Sequence, residues 1–119
     1  MKDDLVYVHH ILDAIARIES YVKNMTFKKF VRSHMAQDAV IRQVAIIGEA
    51  SRHFSPEFLS AHAYIPWSKI AGTRNILIHD YVGVEMSEVW RITQEDLPEL
   101  KKQMKQILRD DRTKTNEGK

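Results

Sequence analysis

The sequence predicts an all-α fold, a bundle of about five helices joined by short connections. Glycine and proline account for only 4 and 3 of the 119 residues, so few positions interrupt the chain. Apolar residues recur at spacings of three and four over long stretches, which is the period of an amphipathic helix. With 44% hydrophobic and 29% charged residues, the composition is typical of one folded domain rather than of a disordered chain.

The first half of the chain is expected to form two long helices with a short helix between them. The first is predicted over residues 3–25, where either Asp3 or Asp4 can cap the start. The second, over residues 36–54, is apolar around so much of its girth that we expect it at the centre of the bundle or of a dimer. Gly48 within it costs about 1 kcal/mol relative to alanine, which indicates a close approach by another element.

The second half opens with a short helix that has Ser55 as its N-cap and Pro56 in its first turn. The next helix is predicted over residues 66–80, because proline at position 66 ends the preceding segment and starts this one. A turn at residues 82–84 follows.

The last helical stretch is predicted over residues 85–110. Pro98 lies inside it and removes one backbone hydrogen bond, so we expect a kink or a restart with Asp96 as the cap. Residues 111–119 contain no apolar side chain and are expected to form a polar, disordered tail. The chain is therefore divided into a helical domain, residues 1–110, and this tail.

Charge and composition exclude several classes of function. Lys plus Arg outnumber Asp plus Glu by 18 to 16, and a net charge of +2 restricts any polyanion site to a local surface. The absence of cysteine excludes a thiol nucleophile, a disulfide scaffold and a cysteine-type zinc site. No apolar run is long enough to span a membrane, and the acidic N-terminus lacks the core of a signal peptide, so a cytoplasmic location is expected.

Residues 74–81 carry the side chains best suited to chemistry. Arg74 supplies a permanent charge with a planar donor fork that suits phosphate. His79 is able to take or give a proton near neutral pH, and Tyr81 adds a hydroxyl group. On a helix, positions 74 and 79 lie about 140° apart, so they share one phosphate only if the helix ends near His79 or a second subunit supplies another pair.

Other interpretations of these residues remain open at this point. If these residues have only structural roles, Arg74 forms an ion pair with an acidic neighbour such as Glu49, His79 caps the C-terminal end of a helix, and Tyr81 packs against other side chains. Among the remaining histidines, His9 and His10 point about 100° apart, which suits a shared metal poorly.

His34, His53 and His62 are a further set of histidines. They show no zinc-type spacing, so no metal site is predicted. The basic cluster of Lys23, Lys28, Lys29 and Arg32 is either a solvated surface or an extension of an RNA path.

The segment containing Arg74, His79 and Tyr81 resembles the Arg-x4-His-x-Tyr motif of HepT-like HEPN proteins, toxins of the HepT–MntA toxin–antitoxin systems. The likeness covers most of residues 1–108, with matching segments in the same order at residues 37–42, 46–50, 65–67, 72–75 and 96–100 and at Trp90. Asp80 departs from the small residue that is common in the family at this place. Its carboxylate is able to raise the pKa of His79 or to repel a phosphate.

The resemblance implies an antiparallel HEPN-type bundle that pairs as a homodimer, with two motifs facing each other across the interface. It implies a metal-independent endoribonuclease without a cofactor, in which Arg74 and His79 are catalytic and Asn75 and Asp80 support them. The expected product of attack by the RNA 2′-hydroxyl is a 2′,3′-cyclic phosphate.

The resemblance also implies a partner, an MntA-like nucleotidyltransferase antitoxin that transfers AMP to Tyr81, with which the homodimer forms a larger hetero-oligomer in some arrangements. The alternative function is a non-catalytic subunit that binds substrate for a two-component nucleotidyltransferase. In that case Arg74 and Tyr81 contact a nucleotide or an acceptor.

Overall fold

The computed structural model describes the backbone of residues 2–79 and 85–117 and the side chains of residues 3–73 and 85–113. Within these ranges the chain is helical and has no strand, which confirms the predicted all-α class. A π-helical turn, Ile92–Asp96, joins the last two helices. The helices are α1 (Lys2–Val22), α2 (Phe27–Arg32), α3 (His34–Ser51), α4 (Pro56–Ala61), α5 (Trp67–His79), α6 (Met86–Arg91) and α7 (Leu97–Glu117). In the part of the chain described, no helix is both long and apolar enough to cross a membrane.

Helix α3 lies between α1 and α5, as its wide apolar girth predicts, and α7 packs on α1. The α3 side chains of Val40, Val44 and Ile47 face the core and are almost fully buried. Each such side chain contributes roughly 1.5–3 kcal/mol by leaving water. The other buried side chains of this core include Val8, Ile11, Ile15, Ile18, Phe30, Phe58, Ile65, Val89, Leu100 and Met104.

Helix α5 runs back along α3 in the opposite direction. Its first residue, Trp67, contacts Phe54 just beyond the end of α3, with ring centroids 5.0 Å apart. Further along, Ile70 and Thr73 line the same groove as two α3 residues, Ile47 and Val44. The C-terminal end of α5 therefore lies at the end of the bundle where α3 begins.

The start of α4 is held by a contact that joins opposite parts of the chain. Ser55 caps this helix by accepting from the Phe58 N–H at 3.2 Å, with Pro56 in the first turn, which confirms the predicted start. The buried Asp4 carboxylate accepts from the Ser55 N–H at 2.7 Å and from its hydroxyl at 2.8 Å. Because α1 already begins at Lys2, the prediction that Asp3 or Asp4 is its cap is wrong; Asp4 anchors the cap of α4 instead.

Replacing Asp4 by alanine is expected to lower the free energy of unfolding by about 2–3 kcal/mol, because two hydrogen bonds to a buried carboxylate are lost and the partly buried donors of Ser55 lose their acceptor. Chemical denaturation of the purified chain measures this loss. Asp3→Ala is the matched control, since Asp3 occupies the same first turn but is exposed. It should change stability by no more than about 0.5 kcal/mol. Equal losses in the two variants would show that only the helix-dipole effect matters.

The predicted interruption near Pro98 is confirmed, but its form differs from the prediction. Pro98 has no N–H to donate, and its ring crowds the preceding turn, so the chain widens there into the π-helical turn. The Leu97 N–H bonds to the Ile92 carbonyl, five residues back. The predicted cap role of Asp96 is wrong, because its carboxylate accepts two hydrogen bonds from the Arg91 guanidinium, both at 2.9 Å.

The predicted end of the last helix, residue 110, is too early, since α7 continues to Glu117. No glycine or proline occurs between Glu99 and Glu117, so nothing in that stretch stops helix propagation. The polar composition of residues 111–117 therefore does not break the helix, whose backbone continues through them. The boundary between domain and tail at residue 110 remains a prediction.

Candidate active site

The C-terminal half of α5 carries the candidate catalytic positions. The helix predicted over residues 66–80 is present from Trp67 to His79, so positions 74 and 79 belong to one continuous helix and lie about 140° apart around its axis. The side chains of Arg74, Asn75 and His79 lie outside the described residues, as do Asp80 and Tyr81 entirely. One α5 helix by itself does not place positions 74 and 79 on a common face.

The packing of α5 on α3 shows which part of the bundle surrounds position 79. Residues 70 and 73 of α5 line one groove together with residues 47 and 44 of the antiparallel α3. Six further residues advance the α5 backbone by about 9 Å, which brings position 79 level with the first turn of α3. In that turn the Gln37 side chain donates to the carbonyl oxygens of Phe30 and Val31, at 3.0 and 2.9 Å. Position 79 therefore lies at the end of the bundle where α2 is tied to α3.

Helix α6, the first described element after the motif, is fixed at the same end of the bundle. Its Trp90 ring packs against Phe30 and Phe27 of α2, with centroids 5.3 and 6.3 Å apart. The Arg91 guanidinium bridges the carboxylates of Glu88 and Asp96, at 2.6 and 2.9 Å. Its hydrogen bonds lower the pKa of Glu88, and those carboxylates raise the pKa of Arg91. This bridge joins α6 to the π-helical turn and so stabilises the chain that follows the motif.

A groove of about 170 Å³ lies beside the first half of α5, with Thr73 among its lining residues. Most of its lining is apolar, and its charged groups are Lys69 and the carboxylates of Glu95, Asp96 and Glu99. The volume is below the range of about 300–1,000 Å³ usual for small-molecule pockets, and the excess of carboxylates over the one lysine repels phosphate. The groove is therefore a poor site for a nucleotide or for RNA.

The other histidines take separate structural positions. His53 stacks on Tyr7 with ring centroids 4.9 Å apart and lies 3.5 Å from the Glu49 carboxylate. Glu49 is half exposed rather than buried, and whether it pairs with Arg74 lies outside the described side chains. Burial lowers the pKa of His62, with the nearby Asp110 charge acting in the opposite direction. Within the described residues, no three acidic or histidine side chains are grouped to hold a metal ion.

Two contacts that shape this end of the bundle were not predicted from the sequence, the Glu88–Arg91 ion pair and the hydrogen bonds of Gln37. The spacing of three between Glu88 and Arg91 signals a helical ion pair, and could have identified the bridge. Gln37 bonds to carbonyl oxygens six and seven residues away across a turn, and nothing in the sequence pattern marks that contact.

Known proteins that are similar to this chain in sequence carry the names of ribonucleases. The family model described as "Ribonuclease HepT-like" matches residues 11–107, which include the Arg74 and His79 positions. The chain is 39% identical over 108 residues to "Putative RNase TTE0752" of Caldanaerobacter subterraneus subsp. tengcongensis, a match covering 91% of this chain and 96% of that protein. It is 40% identical over 95 residues to "Probable ribonuclease HepT" of Thermococcus cleftensis, covering 80% of this chain and 86% of that protein.

A further relative is longer than this chain. "Gamma-glutamylcyclotransferase and putative RNase MJ0434" of Methanocaldococcus jannaschii is 40% identical over 116 residues, or 97% of this chain. The chain spans about half the length of that relative, since the match covers 52% of it. No solved structure matches the chain.

Proposed function

Because the chain belongs to the family of HepT-like ribonucleases, we propose that it is an endoribonuclease whose catalytic groups are Arg74 and His79. The family match over residues 11–107 carries this proposal, because it extends over most of the helical core and includes both proposed catalytic positions. Both positions lie on the C-terminal half of α5, which packs on α3, and this placement on one helix supports the proposal.

The proposed reaction uses the nucleophile that RNA itself provides. The 2′-oxygen attacks the adjacent phosphorus and the bond from phosphorus to the 5′-oxygen breaks, which leaves a 2′,3′-cyclic phosphate and a 5′-hydroxyl. One His79 accepts the 2′-hydroxyl proton and a second donates a proton to the leaving 5′-oxygen. Arg74 binds the non-bridging oxygens and stabilises the charge of the pentavalent transition state. Asn75 orients the phosphate, and the Asp80 carboxylate supports the protonated form of His79.

The helix geometry supports a composite site between two copies of the chain. Positions 74 and 79 lie about 140° apart on α5, so one phosphate is not reached from one face of one helix. Two α5 helices that meet across a two-fold axis bring position 74 of one copy near position 79 of the other. We therefore propose a homodimer with both active sites at the interface.

The proposed biological role is that of a toxin controlled by a nucleotidyltransferase antitoxin of the MntA kind. AMP transferred to the Tyr81 hydroxyl adds a phosphate and a bulky nucleoside two residues from His79. That phosphate competes for Arg74 and repels incoming RNA. Toxin and antitoxin then form a hetero-oligomer around the homodimer.

Modification of Tyr81 is tested by measuring the intact mass of the chain after production with the nucleotidyltransferase encoded beside it. Wild-type protein is expected to gain the mass of one or more AMP groups, and Tyr81→Phe is expected to gain none, because it lacks the acceptor hydroxyl. Tyr64→Phe is the matched control, since Tyr64 is an exposed tyrosine outside the motif and should not change the modification. An unmodified wild-type chain would contradict this mode of control.

The second candidate function, a non-catalytic subunit of a two-component nucleotidyltransferase, uses the same Arg74 and Tyr81 to contact a nucleotide or acceptor. Induced expression of this chain alone separates the two functions. The proposed ribonuclease should arrest growth and fragment total RNA, whereas a binding subunit should do neither. Expression of His79→Ala in parallel shows whether any arrest depends on the motif.

A further inference from the structure

One short segment of the chain combines several basic residues with a complete lack of acidic ones. Residues 20–37 contain Lys23, Lys28, Lys29 and Arg32 and no acidic residue. The whole chain has a net charge of +2, so the rest of it has a net charge of 2 − 4 = −2. We call these four residues the basic patch. A polyanion approaching the molecule meets its excess positive charge here.

All four side chains of the basic patch are exposed, on the turn after α1 and on α2. None of them forms an ion pair with a carboxylate in the described part of the chain. Two cations elsewhere are neutralised by contrast: Lys101 binds Glu19 at 3.0 Å, and Arg91 binds Glu88 and Asp96. The charges of the patch therefore remain available to an external anion.

The helix that presents the patch is held rigidly. Thr26 caps α2 by accepting from the Lys29 N–H at 3.2 Å, and the fully buried Phe30 ring packs on Trp90. Lys28 and Arg32 are four residues apart and so lie on one face of the helix, next to Lys29. Beside them, the side chains of Phe27 and Val31 are 41% and 43% exposed. Cationic groups interleaved with exposed apolar groups suit a single strand, in which phosphates and unpaired bases are both accessible.

The basic patch lies at the same end of the bundle as the candidate active site. Gln37 ties the end of α2 to the first turn of α3, which is level with position 79 of α5. Trp90 ties α2 to α6, the first described helix beyond the motif. A strand cleaved at the motif therefore has the patch within reach of its flanking phosphates.

We propose that the basic patch binds the backbone of single-stranded RNA on one side of the cleaved phosphodiester. This inference rests on the proposed ribonuclease function, because it assigns a second contact for the same substrate. Lys28, Lys29 and Arg32 contact successive phosphates, Lys23 extends the contact beyond the helix, and Phe27 packs against a base. The patch supplies affinity without reading the base sequence.

The test measures binding of a labelled single-stranded DNA, which lacks the 2′-hydroxyl and is not cut, to the full chain over a series of salt concentrations. Lys28→Gln with Lys29→Gln is expected to weaken binding about tenfold at 0.15 M salt and to reduce the salt slope by about 1.4, for two lost phosphate contacts. Lys102→Gln with Lys105→Gln is the charge-matched control on an exposed part of α7 and should bind like wild type. With an RNA substrate, the first variant should raise KM and leave kcat unchanged.

Equal affinities and salt slopes for wild type and the Lys28→Gln, Lys29→Gln variant would overturn the proposal and indicate that the patch faces solvent or a protein partner. An equal loss in both double variants would also overturn it, because net charge alone would then explain the binding. Patch-dependent DNA binding by a chain that cuts no RNA would support the patch while contradicting the proposed function.

Discussion

Replacing His79 by alanine is expected to slow RNA cleavage by about 10²–10⁴-fold, because general acid–base catalysis contributes a factor of that size. In the composite site each of the two His79 side chains carries out one of the two proton transfers. The substitution changes both copies and therefore removes both transfers. Arg74→Ala is expected to cost about 10²–10³-fold, as for the loss of a donor that stabilises transition-state charge. Arg74→Lys should be intermediate, because lysine keeps the charge without the planar fork. Single-turnover cleavage of a defined RNA measures all three rates.

Two controls separate a loss of catalysis from a loss of folding. His9→Ala removes an exposed histidine of α1 outside the motif and should cleave at the wild-type rate. The thermal unfolding midpoints of the His79 and Arg74 variants should match that of wild type. Cleavage by His79→Ala at the wild-type rate would remove His79 from the mechanism, whatever its effect on stability.

Replacing Phe58 by alanine is expected to lower the free energy of unfolding by about 3–5 kcal/mol, the range for emptying a large buried aromatic site. The Phe58 ring is fully buried. It stacks on Phe54 with centroids 4.3 Å apart and contacts Trp67 at 5.9 Å. Because Trp67 begins α5, this ring layer also positions the helix that carries the motif. Denaturant unfolding of the purified chain measures the effect.

Graded substitutions make this stability prediction testable even if the alanine variant fails to fold. Phe58→Leu keeps most of the buried volume and should lose much less stability than Phe58→Ala. Tyr64→Ala is the control near the same layer, since Tyr64 is 62% exposed, and should cost less than about 1 kcal/mol. A loss of under 1 kcal/mol in Phe58→Ala would contradict the placement of this ring in the core.

Features decided by neighbouring residues were predictable from the sequence. Ser55 followed by Pro56 starts α4 as predicted, because the cap and the constrained backbone angle of proline act within one turn. The wide apolar girth of α3 predicted its central position, since such a helix must be covered on several sides. The helix carrying Arg74 and His79 was likewise predicted to within one residue at each end.

Features decided by distant contacts were not predictable in the same way. Asp4 lies at the start of a predicted helix, where a capping residue is expected. Its carboxylate instead accepts hydrogen bonds from Ser55, 51 residues away. Asp96 also has the pattern of a cap, and competition from the Arg91 guanidinium overrides it. The late end of α7 reflects how weakly composition alone stops a helix when no glycine or proline intervenes.

For the candidate site, the sequence predicted which helix carries the motif but not what surrounds it. The contact of Gln37 with α2 and the packing of Trp90 on Phe30 bring α2 to the motif end of the bundle, and neither follows from helical periodicity. The roles of Arg74, His79 and Tyr81 remain proposals that rest on family membership and on helix position.

The most direct test of the central claim is the chemistry of the cut end of the RNA. A defined oligonucleotide is cleaved by the purified chain, and the new 3′ terminus is identified by mass spectrometry. Attack by the RNA 2′-hydroxyl predicts a 2′,3′-cyclic phosphate paired with a 5′-hydroxyl on the downstream fragment. A 3′-hydroxyl paired with a 5′-phosphate would contradict it, because that outcome requires water rather than the 2′-oxygen as the nucleophile.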